Sequence, residues 1–256
     1  GDLTVSLGTV DVTGTLAAGV DVVVADAAAI YAVSASDTIN TLTVGAAGKA
    51  QLDSGQTLTI AATSAIAGIV QGTGNLSITG GTTTLSAVNT YEGTTTIANG
   101  ATLLIDGSGQ LDSGSYAGAI ANAGTLDYDS SATQTLSGII SGAGALTITG
   151  SGTGALTLTG ANTYTGNTTI TTGSLVIGGA GKLGNGSNVY AGAIANDTTL
   201  TYSSSATQTL SGAISGTGSI VKDTDASVLT LSGTNTFTGD LTVSLGTVDV
   251  TGTLAA

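Results

Sequence analysis

The 256-residue sequence predicts an all-β chain, a right-handed parallel β-solenoid (β-helix) of about ten to thirteen coils. Three observations lead there. Aliphatic residues alternate with Thr and Ser over short runs, glycines recur between those runs, and the chain repeats itself at periods longer than a hairpin. No stretch carries a 3.6-residue apolar period. Pro is absent, which suits a backbone bonded to neighbours above and below.

In chain order, Leu3, Val5 and Leu7 alternate with Thr4 and Ser6, and Val10 and Val12 flank Asp11. A period of two puts aliphatics on one face of a strand and hydroxyls on the other. Residues 17–33 are nearly all apolar, but Asp21 and Asp26 interrupt them. A charge near a bilayer centre costs roughly 2.5–3.5 kcal/mol, so the stretch reads as a buried strand pair rather than a membrane span. The period of two returns in Leu146-Thr147-Ile148, Leu156-Thr157-Leu158 and Leu229-Thr230-Leu231. The pairs Gly72/Gly74, Gly142/Gly144 and Gly216/Gly218 read as corners where glycine supplies φ > 0.

Two periods overlie this pattern. "NTYEGTTTI", "NTYTGNTTI" and "NTFTGDLTV" start at Asn89, Asn162 and Asn235, a constant spacing of 73. "YAGAIAN" at Tyr116 and Tyr190, and "SSATQTLSG" at Ser130 and Ser204, recur at 74, the slippage a surface turn permits. Residues 1–18 and 239–256 are identical, which sets a longer period of 238. The chain therefore divides into a longer unit, 1–88, then 89–161, 162–234 and a restart over 235–256, all within one continuous solenoid. At ~18–24 residues per coil a period rises roughly 50–60 Å. The two identical segments are expected to share one backbone conformation and to be related by that rise. An antiparallel sandwich would give them no common geometric role. The segment is expected to be a window on a longer array, continuous with neighbouring repeats.

Sixteen acidic residues against Lys49, Lys182 and Lys222 give a net charge of −13, with no Arg or His. Nucleic acids and anionic membranes both call for clustered basic residues, so both are excluded as partners. Cys is absent, so no disulfide contributes to stability.

Residues 154–187, "GALTLTGANTYTGNTTITTGSLVIGGAGKLGNGS", resemble the autotransporter-associated β-strand repeat, also called the passenger-associated transport repeat. Residues 211–239 are similar to the same repeat with its run-in, and residues 19–88 resemble giant bacterial surface solenoids more loosely. The resemblance implies a secreted or surface-displayed bacterial passenger, folded as a β-helix outside the cell, with no catalytic residues of its own. Glu92 stands where the family has Thr, and Asp223-Thr224-Asp225 where it has a neutral or lysine-bearing turn. Both read as departures in surface turns.

The most regular features are Asn89, Tyr91 and Gly93; Asn162, Tyr164 and Gly166; and Asn235, Phe237 and Gly239. Exposed rings would form a glycan-stacking stripe. The structural reading is that Asn caps a turn while the ring packs at a corner. Asp127 and Asp129 share a strand face at roughly the separation of an inverting glycosidase pair, but Thr201 and Ser203 take their places in the next unit, and no Arg, His or Trp is present to bind sugar. Asp223 and Asp225 read as a turn, with a weak Ca²⁺ site as the alternative. Lysines in glycine-rich or acidic turns are expected to be solvated.

The sequence thus points to a structural extracellular fibre segment, one 238-residue period of a bacterial surface or secreted filament. No enzyme activity and no cofactor are expected. Its partner would be itself, head to tail, as a covalent array or stacked subunits, with host-surface or matrix glycans as further contacts. The alternative is the stalk of an adhesin or autotransporter whose binding tip lies elsewhere. A polysaccharide-acting β-helix enzyme ranks third.

Overall fold

The computed structural model describes residues 1–17, 19–25, 28–150 and 154–254, apart from the side chains of Asp225 and Ala226. The chain winds as a three-faced parallel β-solenoid of about twelve coils. The first face is an eleven-stranded sheet running from Leu3–Val5 to Ile214–Ser215, prolonged by Thr234–Asn235 and Thr253–Leu254. On the second face a five-stranded sheet from Gly8–Val12 to Thr90–Tyr91 gives way to strands that run from Ser115–Tyr116 to Thr199–Tyr202. The third carries six strands from Asp37–Ile39 to Ile140–Ser141, then Val189–Tyr190 and Gln208–Leu210. Ser219–Leu231 rounds a corner as one 13-residue strand, its first half on the second face and its second half on the third. Among the described residues every strand pairing is parallel, and the only helical turn is Asp112–Gly114.

Alternation decides which side chains enter the core. In Thr57–Ile60, Leu58 and Ile60 are buried while Thr57 and Thr59 face outward, and Ala145–Ile148 and Ala155–Leu158 follow suit. Each fully buried Leu or Ile contributes about 1.5–3 kcal/mol, and the coils share one continuous core. The stretch 17–33 supplies Val22–Val24 on the first face and Ala29–Val33 on the second, two strands that pair with neighbouring coils, although Asp26 lies outside the described residues. Leu7 departs from its expected place. It is 78% exposed, because the chain turns at Gly8 (φ 74°) before the alternation can carry it inward.

Coil length is uneven. Along the first face Val22 stacks on Leu3 and Leu42 on Val22, whereas the coil from Thr168 to Ile194 takes up distinctly more chain before it returns to the same face. This unevenness decides where repeated motifs land.

The corner glycines divide into two kinds. Gly72, Gly142 and Gly216 have φ of 104°, 103° and 106°, as expected, and a Cβ on each would also lie 2.1–2.2 Å from a backbone oxygen of the coil below. Their partners Gly74, Gly144 and Gly218 do not use positive φ; a Cβ there would lie 2.4–2.5 Å from a backbone oxygen of the coil below. Coils stack at about 4.8 Å, and a corner residue whose Cβ points along the solenoid axis has no room for it.

Candidate functional site

The repeated Asn-x-aromatic-x-Gly motif is built the same way three times. Asn89 Oδ1 accepts the Val70 N–H (2.9 Å) of the coil below, and its Nδ2 donates to Ala87 O (2.8 Å). Asn162 accepts from Ile140 N–H (2.9 Å) and donates to Gly160 O (3.0 Å). Asn235 accepts from Ile214 N–H (3.1 Å) and donates to Gly233 O (3.0 Å). All three are buried. At a corner the ladder breaks and leaves one N–H unmatched inside the molecule; a primary amide supplies the missing acceptor, and its own N–H is satisfied at a carbonyl that also accepts a backbone N–H from the coil above. The asparagines therefore cap between coils, beyond the single-turn cap expected from sequence.

The aromatic residues point inward. Tyr91 and Tyr164 are fully buried and Phe237 nearly so, which removes a glycan-stacking stripe. Tyr91 packs on Tyr116 with ring centroids 5.5 Å apart, and Tyr164 on Tyr190 at 5.4 Å. A threonine hydroxyl bridges the two tyrosine hydroxyls of each pair. Tyr190 donates to Gly166 O (2.5 Å), so its oxygen receives the Thr168 proton (2.8 Å), and Thr168 receives that of Tyr164 (2.7 Å). The same chain runs from Tyr91 through Thr95 and Tyr116 to Gly93 O. Burial pushes the Tyr116 hydroxyl up to about 12 and holds Tyr164 well above the ordinary tyrosine value, so both stay protonated and donating. Sequence inspection passed over this chain, although the i, i+4 relation of Tyr91 to Thr95 and Tyr164 to Thr168 was visible. The third unit follows the same logic: Phe237 and Leu241 replace both hydroxyl partners at once. Thr168→Val is expected to cost about 1–3 kcal/mol by leaving the Tyr164 hydroxyl buried without an acceptor. The double change Tyr164→Phe/Thr168→Leu, copying the third unit, should cost less than the sum of its parts in urea denaturation.

Two further amides serve the same end. Gln134 accepts from Leu111 N–H (2.8 Å) and donates to Leu111 O (3.1 Å), while Gln208 accepts from Leu183 N–H (2.7 Å) and donates to Asn188 O (2.9 Å). Beside each lies an apolar cavity of about 10 Å³, against Leu111, Tyr128 and Leu136 in one case and Leu183, Tyr202 and Leu210 in the other. Each holds at most one water-sized sphere, too little for a ligand.

Asp127 and Asp129 do share the outer face of Thr125–Ser130, as read from their spacing. Asp106 joins them, directly beside Asp129 in the ladder. Thr149 Oγ1 donates to Asp127 Oδ1 (2.8 Å). Burial raises the Asp127 carboxyl above its ordinary value, the Thr149 hydroxyl lowers it in part, and the charges of Asp129 and Asp106 raise it again. The folded chain thus holds this proton more tightly than the unfolded one, so the ionised group costs stability as pH rises through the carboxylate range. Asp127→Asn is accordingly expected to raise the melting temperature near neutral pH, with the gain vanishing in acid below the titration of free aspartate. Among the described residues no three potential ligands gather to hold a metal ion.

The expected turn at Asp223 and Asp225 is not a separate turn. Ser219–Leu231 continues through it as a strand, with a bulge around Asp223 where the pairing to 241–250 shifts register. The Asp225 side chain lies outside the described residues. Glu92 is exposed at its corner. The lysines also differ from expectation. Lys222 is fully buried, donates to Thr224 O and stands 5.8 Å from the Tyr202 ring centroid. Lys182 Nζ donates to Asn188 Oδ1 (2.6 Å), and Lys49 lies within a strand, half-buried. Each has an apolar stem that fits a solenoid wall, and this outweighs the polar surroundings visible in sequence.

These features define a class, the parallel solenoid whose repeated residues serve coil stacking. The family model of the passenger-associated transport repeat matches three segments of the chain, residues 69–105, 151–177 and 223–250. In the second and third matches the last strand lies directly on the first, Leu175 on Leu156 and Val248 on Leu229, so the repeat there is one full coil closing over itself. No curated protein and no solved structure matches the chain.

Proposed function

We propose that this chain is one period of a tandem solenoid fibre, secreted or displayed on a bacterial surface, whose work is reach and cohesion. One observation carries the reading. The segment shared by residues 1–18 and 239–256 is seen from both sides: as 241–250 it lies on 219–231, and as 3–12 it is covered by Val22–Val24 and Ala29–Val33. Overlaying the two copies joins one period to the next with the strand ladders continuous above and below. A covalent array accounts for full identity better than stacked subunits, which need complementary ends and not duplicated ones.

The passenger repeats support an extracellular place, either as a fibre or as the stalk of an adhesin. We assign no chemistry to the segment: its clustered carboxylates face outward, in a chain without Arg or His. The coding sequence on either side provides the test. Further copies of the long period are expected, and a distinct domain adjoining both identical segments would overturn the array.

A further inference from the structure

The geometry points to a one-third turn between successive repeats, so that the fibre is a three-fold screw presenting each surface feature in three directions in succession. The turn is read within this chain; its extension along the fibre rests on the array proposed above.

Equivalent residues of the shorter repeat units do not lie above one another. Asn89 caps Val70 on the second face, Asn162 caps Ile140 on the third, and Asn235 caps Ile214 on the first. The family matches end in the same rotation, at Ile105 on the first face, Ile177 on the second and Val250 on the third. Each of these units therefore winds three coils and one further face. The three faces accept the same motif because each offers it the same strand, corner and strand, with an aliphatic core on the inside.

The long period behaves likewise. Leu3 pairs with Val22 on the first face and Val10 with Tyr31 on the second, whereas their copies Leu241 and Val248 pair with Ile220 on the second and Leu229 on the third. The local corner is kept, with Gly8 at φ 74° and its copy Gly246 at 81°. The expected relation by rise alone is thus corrected: the period is eleven coils and one face, a rise of about 54 Å combined with a third of a turn. In an array, the second sheet of one period continues as the first sheet of the next. A surface feature returns to the same side after three periods, about 160 Å. A flat, rigid partner would meet every third copy, whereas small soluble receptors would bind around all three sides.

Paired cysteines test the turn in the chain as it stands. Val221 and Thr242 are neighbours in the ladder of the second face, within the Cα separation a disulfide spans. The Val221→Cys/Thr242→Cys variant is expected to close nearly completely on mild oxidation. Ser215→Cys/Thr242→Cys, the pair that repeats in phase would bring together, should stay reduced. Closure of the second pair in place of the first overturns the inference. Both variants alter outer positions and are checked for native circular dichroism. For the array, averaged electron micrographs of native fibres should show a true axial repeat of about 160 Å, three times the rise of one period. A true repeat of about 54 Å, the rise of a single period, would overturn the screw and leave the array standing. Absence of any repeat, with the first disulfide formed, would overturn the array and confine the turn to this chain.

Discussion

Gly166→Ala is expected to destabilise the solenoid by at least about 3 kcal/mol, the cost of forcing backbone apart where no side chain can yield. A Cβ on Gly166 would lie 2.0 Å from Gly144 O and 2.5 Å from Gly144 C, both backbone atoms of the coil below. The clash continues up the same corner: a Cβ on Gly192 would lie 2.4 Å from Gly166 O, and one on Gly212 would lie 2.1 Å from Gly192 O. Relief at one level would stretch the strand ladders on both sides of the corner. Gly100→Ala is the control. Gly100 has φ 80° and open space around it, so alanine there costs only the left-handed conformation, about 1–2 kcal/mol. Because solenoid stability is a sum of coil and neighbour terms, the Gly166 variant should lose hydrogen-exchange protection first in the coils around 144–192 and later at a distance. Equal losses from the two variants would show that the close approach at Gly166 costs no more than the unfavourable backbone angle at Gly100.

Asn162→Ala should cost about 1–3 kcal/mol, since it leaves the Ile140 N–H buried without its acceptor, whereas the Gly160 C=O keeps the Lys182 N–H. Asn162→Asp separates the two roles. A carboxylate still accepts from Ile140 but faces the Gly160 oxygen with a lone pair, whereas the protonated acid can donate to it. Burial and that carbonyl both raise the pKa of the new acid, so the variant should gain stability as pH falls through the raised value. Chemical denaturation at pH 4 and pH 7 reads the difference. A variant no more stable in acid, once compared with the parent at each pH, would show that the cap's acceptor alone matters.

The alternation of Leu58 and Ile60 with Thr57 and Thr59, and of similar runs along the chain, sufficed to determine strands and their inner faces, because a strand's side-chain period is fixed at two whatever it packs against. The short repeat begun at Asn89 and the long one begun at Gly1 were equally plain, as was the surface pairing of Asp127 with Asp129. Tertiary structure alone decided which face each repeat occupies. The coil from Leu3 to Val22 is shorter than that from Thr168 to Ile194, so the angle reached by Asn162 or Leu241 is a sum over every corner before it, which only the ladder registers supply. It also separated Gly72, needed both for its backbone angle and because the coil below leaves no room, from Gly74, needed for lack of room alone. The burial of Lys222 over Tyr202 and the hydroxyl chain from Tyr164 to Gly166 depend on contacts between successive coils, beyond the reach of any local pattern.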